Sequence, residues 1–201
     1  MSDFANLLQD LVRVSDNQEV RHETWGFTIY RTAYTGSQDD QRWDILIDAI
    51  TSSVYNVIMT SPEGTSGSNN EEAQLLWSLF DLDLKVNSTL KDLDMDDLRK
   101  THQEGGSQNG RGCFLLVDQE VLTDVDGKGD YWIKCVQADY KASDYVPRNS
   151  RVTQRYFGWL KVKIKKTFEL WEKLVMFGEL ERIAPPTIGG VQVIWDGDSS
   201  M

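Results

Sequence analysis

Apolar residues recur along this chain with two different periods, and the switches between them mark its elements. Phe4, Leu7, Leu8 and Leu11 fall at helical spacing and predict a short amphipathic helix within residues 3–14. Trp25-Gly26-Phe27-Thr28-Ile29-Tyr30-Arg31-Thr32 is dominated by aromatic and β-branched residues, which suit a pleated surface, and predicts a strand. Gly36-Ser37 ends it. Ser37 is the expected N-cap of a helix whose first turn carries Asp39 and Asp40, where the helix dipole favours negative charge. Trp43, Ile45, Leu46, Ile47, Ala49 and Ile50 form its apolar stripe, and residues 54–59 fit either its end or a short strand.

Residues 62–70, rich in Gly, Ser and Asn, read as a linker. Two helices are expected next, at 71–84 with Leu75, Leu76, Leu79 and Phe80 inward, and at 88–102; a glycine-rich loop at 105–112 follows. Cys113-Phe114-Leu115-Leu116-Val117 is a continuous apolar strand, and residues 131–138 return after a turn at Gly127 and Gly129. Beyond Pro147, Leu160, Val162 and Ile164 alternate with lysines, and Phe168, Leu170, Trp171, Leu174 and Val175 then take a helical period closed by Gly178. A last strand lies at 191–195, ahead of a disordered tail. With 60–112 set aside as a two-helix insertion, the order is strand, helix, strand, strand, helix, strand. That order predicts one α+β domain, a ferredoxin-like split βαβ sheet, with its C-terminal strand and tail in 185–201. A three-layer α/β arrangement is the rival.

Composition narrows the function. The 201 residues carry 32 acids against 21 bases, a net charge of −11, so nucleic acid and anionic membrane surfaces are disfavoured as partners. The first ten residues lack the basic and apolar regions of a signal peptide, and no apolar run approaches a membrane span. Two cysteines, Cys113 and Cys135, suit a reducing compartment, so a cytoplasmic protein is expected.

The motifs that suggest chemistry each lack a part. From Asp124, the segment Asp124-Val125-Asp126-Gly127-Lys128-Gly129-Asp130 would need an oxygen ligand where Lys128 stands and a glutamate where Cys135 stands, so it reads as a turn rather than a calcium loop. The glycine-rich loop before Cys113 precedes a strand instead of a helix, unlike a phosphate cradle. Asp92, Asp94, Asp96 and Asp97 suit the start of a helix better than a metal site, and neither His22 nor His102 has a partner at ligand spacing. Both cysteines lie in apolar strands where a thiol stays protonated; they become close neighbours if the two strands pair. No metal and no cofactor are expected.

Two features remain. Residues 141–166 hold Lys141, Arg148, Arg151, Arg155, Lys161, Lys163, Lys165 and Lys166 against Asp144 alone, flanked by Tyr140, Tyr145, Tyr156 and Trp159. Charge balance with the acidic insertion explains them most simply; an anion site or a surface for an acidic partner is the functional account. Tyr30, Arg31, Asp118 and Asp139 are polar residues on or beside buried strands, which a ferredoxin-like sheet would bring together. A buried Arg31 requires a carboxylate partner, and Asp118 or Asp139 is a candidate general base with Tyr30 as hydrogen-bond donor. The expected catalytic set is therefore Asp118, Asp139 and Tyr30, with Arg31, Tyr140, Arg151, Arg155 and Trp159 binding substrate.

The Trp25–Thr32 strand, the later Phe114-Leu115-Leu116-Val117-Asp118 and the Gly158-Trp159 step resemble a group of fungal proteins of unassigned function, over roughly residues 25–174. The resemblance implies a fungal, intracellular origin and carries over no catalytic residue. Together these readings point to a small-molecule enzyme without a cofactor, such as a cyclase or isomerase of fungal secondary metabolism. The alternative is a protein-interaction module using residues 141–166. Ferredoxin-like domains often pair to build such pockets, which admits a homodimer.

Overall fold

The computed structural model describes residues 4–14, 20–60, 69–105, 112–125, 128–147, 154–185 and 192–197. Its first helix, α1 (Phe4–Asp10), leads into a small antiparallel ribbon of β1 (Val12–Val14) and β2 (Val20–His22). A six-stranded mixed sheet follows, built from β3 (Trp25–Arg31), β4 (Phe80–Lys85), β5 (Cys113–Val117), β6 (Trp132–Gln137), β7 (Trp159–Lys163) and β8 (Ile194–Trp195) in the order β4-β3-β5-β6-β7-β8. The pairs β3–β4, β3–β5 and β7–β8 are parallel; β5–β6 and β6–β7 are antiparallel. The helices are α2 (Asp39–Thr60), α3 (Asn69–Ser78), α4 (Met95–Glu104), α5 (Gln119–Thr123) and α6 (Thr167–Phe177).

The α+β character holds, but the βαβ unit is not split. A ferredoxin-like sheet would insert β6 between β3 and β5, whereas here β3 and β5 are direct parallel neighbours, with Ile29 opposite Leu115, and β6 lies outside them. The reason is the segment read as a helical insertion. α3 stops at Ser78, and Phe80-Asp81-Leu82-Asp83-Leu84-Lys85 has the period of two that defines a strand with one apolar face. As β4 it docks parallel on β3 with Phe27 opposite Leu82, so the insertion supplies an edge of the sheet.

Alternation assigns every strand residue to one of two faces. Phe27, Ile29, Leu115, Val117, Ile133, Cys135, Leu160 and Val162 meet α1, α2 and α6 in the large core. Tyr30, Phe114, Leu116 and Val136 meet Leu90 and Leu98 of the α4 side in a smaller one. Each fully buried large apolar side chain contributes roughly 1.5–3 kcal/mol, so the large core dominates stability. An aromatic cluster anchors it: Trp25 lies 4.4 Å from Trp171 and 4.8 Å from Phe80 between ring centroids, and its Nε1 donates to the carbonyl of Leu76 at 2.6 Å.

The chain leaves β3 in one direction through α2 and α3, then returns across it through α4 on the opposite face. The carboxyl ends of β3 and β5 thus flank a topological switch point, where open sheets of this kind leave a crevice. Gly26, at φ 138°, permits the close β3–β4 approach, because a Cβ there would stand 2.0 Å from the carbonyl oxygen of Asp81.

Several smaller readings are resolved. Residues 54–59 are helical, as the end of α2. Gly178 ends α6 at φ 70°, its amide bonded to Leu174 O. Of the acidic run, Asp94 caps α4 by accepting from the amides of Asp96 and Asp97, while Asp96 pairs with Arg99 and Asp97 with Lys100. The glycine-rich stretch 106–111 and residues 126–127 of the calcium-like segment lie outside the described residues.

Candidate functional site

The expected convergence of Tyr30, Arg31, Asp118 and Asp139 does not form. Tyr30 and Arg31 are consecutive in β3 and point to opposite faces. Arg31, its side chain 4% exposed, donates from Nε to Ala33 O at 2.9 Å and pairs with Asp40 at the start of α2 at 2.6 Å. Its guanidinium lies 4.6 Å from the centroid of Tyr34 and 5.6 Å from that of Trp43. The required carboxylate is therefore Asp40, a local partner, and not Asp118. Asp139 follows β6, which runs antiparallel to β5, so it emerges at the other end of the sheet; it is exposed and accepts from Gln137 Nε2 at 2.8 Å.

Asp118 is at the carboxyl end of β5 and is engaged twice. One oxygen caps α5 by accepting from the amide of Val121 at 3.1 Å, and the other meets Lys134 Nζ at 2.5 Å. Lys134, buried on β6, also reaches Glu120 at 2.6 Å, and the second oxygen of Glu120 reaches Lys161 of β7 at 2.6 Å. Lys134 and Lys161 are directly opposite in the β6–β7 register, where like charges repel, and Glu120 is the bridge that makes the juxtaposition tolerable. Trp159 and Trp132 lie under the two ammonium groups, at 5.3 Å and 4.2 Å. Burial opposes the charge of Glu120, but the hydrogen bonds from Lys134 and Lys161 outweigh it and hold the carboxyl below its usual range. This ladder saturates Asp118 as a structural ion, which is a poor setting for a general base.

Three further lysines of the basic segment have internal acidic partners. Lys163 and Lys165 face Asp130, and Lys166 faces Glu169 at 2.8 Å. Balance is internal, as expected, but the acids come from α5, the β5–β6 connection and α6 instead of from residues 60–112. Arg155 is exposed, and Arg151, with Arg148, lies outside the described residues.

Tyr140 closes the opposite end of the sheet. Its ring covers Gly158 and stacks on Tyr145 at 5.0 Å, with Arg99 4.9 Å above it. Arg99 was not singled out by sequence, yet it is buried and binds Gln137 O at 3.0 Å and Gly158 O at 3.1 Å, tying α4 to the β6 and β7 ends. His102 was also missed as a partner. It meets the Tyr30 hydroxyl at 3.3 Å under α4, where burial lowers its pKa and raises that of Tyr30, with Asp83 nearby. The two cysteines are neighbours in the β5–β6 pair as expected, and burial pushes the Cys135 thiol far up.

A ligand-sized space is found elsewhere. A cleft of about 740 Å³ lies between α1, the end of α2 and α6, and none of the expected site residues among the described ones lines it. Leu7, Val57, Phe168, Val175, Met176 and Phe177 make its apolar part, and Asp10, Lys165, Lys166, Glu169, Glu172 and Lys173 its rim. Met176 is 74% exposed, an unusual position for a large apolar side chain. Within the rim Lys166 holds Glu169 at 2.8 Å, whereas Lys173 reaches Glu169 only at 3.9 Å and Lys165 reaches Asp130 only at 4.0 Å. Among the described residues, no group of three or more His, Cys, Asp or Glu side chains is arranged to hold a metal ion, and no helix is long and apolar enough to cross a membrane. No known protein family, curated protein or solved structure matches the chain.

Proposed function

We propose that this protein binds a small amphiphilic carboxylate in the cleft between α1, α2 and α6. The observation that carries the reading is an apolar floor under lysines whose ion pairs are long. A volume of about 740 Å³ is in the range of small-molecule sites. Leu7, Val57, Phe168 and Met176 would cover an aliphatic or aromatic body, and Lys165 and Lys173 would take the head group, since their present carboxylate contacts at 4.0 and 3.9 Å are weak. The small-molecule half of the sequence expectation thus moves to other residues. The cyclase or isomerase half would need an acid and a base facing the bound molecule, which Glu169, Glu172 and the rim lysines are chemically able to supply.

Titration with decanoate by calorimetry and with anilinonaphthalene sulfonate by fluorescence tests the site. Saturable binding is expected, with a Kd on the order of 10 µM for a ligand of this size. Val57→Asp with Met176→Asp should weaken both probes at least tenfold, and Lys165→Glu with Lys173→Glu should weaken decanoate while sparing decanol. Absence of saturable binding, or binding indifferent to both pairs of substitutions, sinks the reading.

A further inference from the structure

The two ends of the main sheet differ. β8 is two residues long and offers little to pair with, whereas β4 is a six-residue strand whose outer edge has no strand partner among the described residues. An open edge of that length invites pairing with another chain unless its side chains forbid it. On one face β4 presents Phe80, Leu82 and Leu84, continued by Val86; Leu84 is 40% and Val86 49% exposed. Tyr55 of α2 extends this apolar strip, its ring 5.1 Å from Trp77, which stacks on Phe80. On the other face β4 presents Asp81, Asp83 and Lys85.

Those three charges discriminate between registers. Antiparallel pairing of β4 with its own copy about Leu82 would set Asp81 against Asp83 twice, and pairing about Asp83 would set Asp81 opposite Lys85 but leave the Asp83 carboxylate against itself on the axis. Pairing about Leu84 sets Asp83 of each copy opposite Lys85 of the other, twice, with Leu82 opposite Val86 on the apolar face. Opposite charges directly across an antiparallel pair stabilise it and like charges destabilise it. In the single chain Lys85 already holds Asp83 at 2.8 Å, so exchange to the second copy needs only a side-chain rotation.

We propose that two copies of this protein associate through β4, antiparallel and two-fold symmetric about Leu84, so that the sheet runs on from one copy into the other. The contact is isologous and closes on itself, which limits it to a dimer.

Sedimentation velocity between 1 and 100 µM tests this, with a thermal melt beside each run to show that the variants fold. The wild type should sediment as a dimer in the upper part of that range. Lys85→Asp places four carboxylates around the axis and should raise the dimer dissociation constant by roughly tenfold or more. Asp83→Lys combined with Lys85→Asp restores opposite charges across the axis and should return the dimer. A wild type monomeric throughout, or a dimer that ignores Lys85→Asp, overturns the proposal; so does a failure of the double swap to recover association in a folded protein.

Discussion

At Gly158 a φ of 76° coincides with a contact that no other residue could make: a Cβ there would stand 2.2 Å from the ring of Tyr140. Gly158→Ala should therefore cost roughly 2–4 kcal/mol in urea denaturation, from backbone strain and displacement of the ring together. His102 sets a different kind of dependence. Burial lowers its pKa, so the folded protein takes up the proton less readily than the unfolded chain. Stability is full above about pH 6.5 and falls below it by up to ~1.4 kcal/mol per pH unit until the folded group protonates. Chemical denaturation from pH 7.5 to 5 should show that slope, and His102→Gln should reduce it. Neither effect was legible in the chain. His102 has no partner at sequence spacing because its partner, Tyr30, is on a strand 72 residues away. Arg31 was readable as a buried cation in need of a carboxylate, but the choice of Asp40 depends on how tightly the β3–α2 turn folds back.

Individual elements were most legible where one signal stood alone. Cys113–Val117 is a strand as read, since five consecutive apolar residues fully buried on both faces leave no amphipathic alternative. β4 was hidden because the apolar spacing of α3, carried on by Leu79, runs without a break into Phe80 and Leu82, and a helix of 71–84 absorbs the same apolar residues. α5 was hidden by its length of five residues; its sign was Asp118, a strand-end carboxylate that serves as N-cap. The charge ladder built on α5 has a consequence for acid sensitivity. The folded pKa of Glu120 is depressed, so its contribution is present above the usual carboxylate range and is lost as pH falls through the lower, folded value. Glu120→Gln should leave Lys134 facing Lys161 unbridged and cost on the order of 1 kcal/mol at pH 7, a penalty that shrinks toward pH 3.

For the whole molecule, the strand directions decide what residues can meet. Parallel β3 and β5 bring Arg31 and Asp118 to one end of the sheet, and the antiparallel return through β6 carries Asp139, Tyr140 and Trp159 to the other. The two carboxylates expected to act as base, Asp118 and Asp139, are thereby held at opposite ends of the sheet, and the cleft on the α1–α6 side is the candidate site. Periodicity revealed helices and strands, but topology rests on which edge each crossover chooses, and that choice turned on the six residues of β4.

The tilted indole pair of Trp25 and Trp171, 4.4 Å apart and inclined at 41°, also makes the molecule its own optical probe. Transition dipoles at that separation couple, and the coupling splits into a pair of circular-dichroism bands of opposite sign. The signal exists only while β3 is docked against α6, elements from opposite ends of the chain, so it reports closure of the large core rather than local helix content. Trp171→Phe should erase the couplet and leave the helical signal intact, and stopped-flow dichroism at the two wavelengths would then separate collapse of the sheet from formation of its helices.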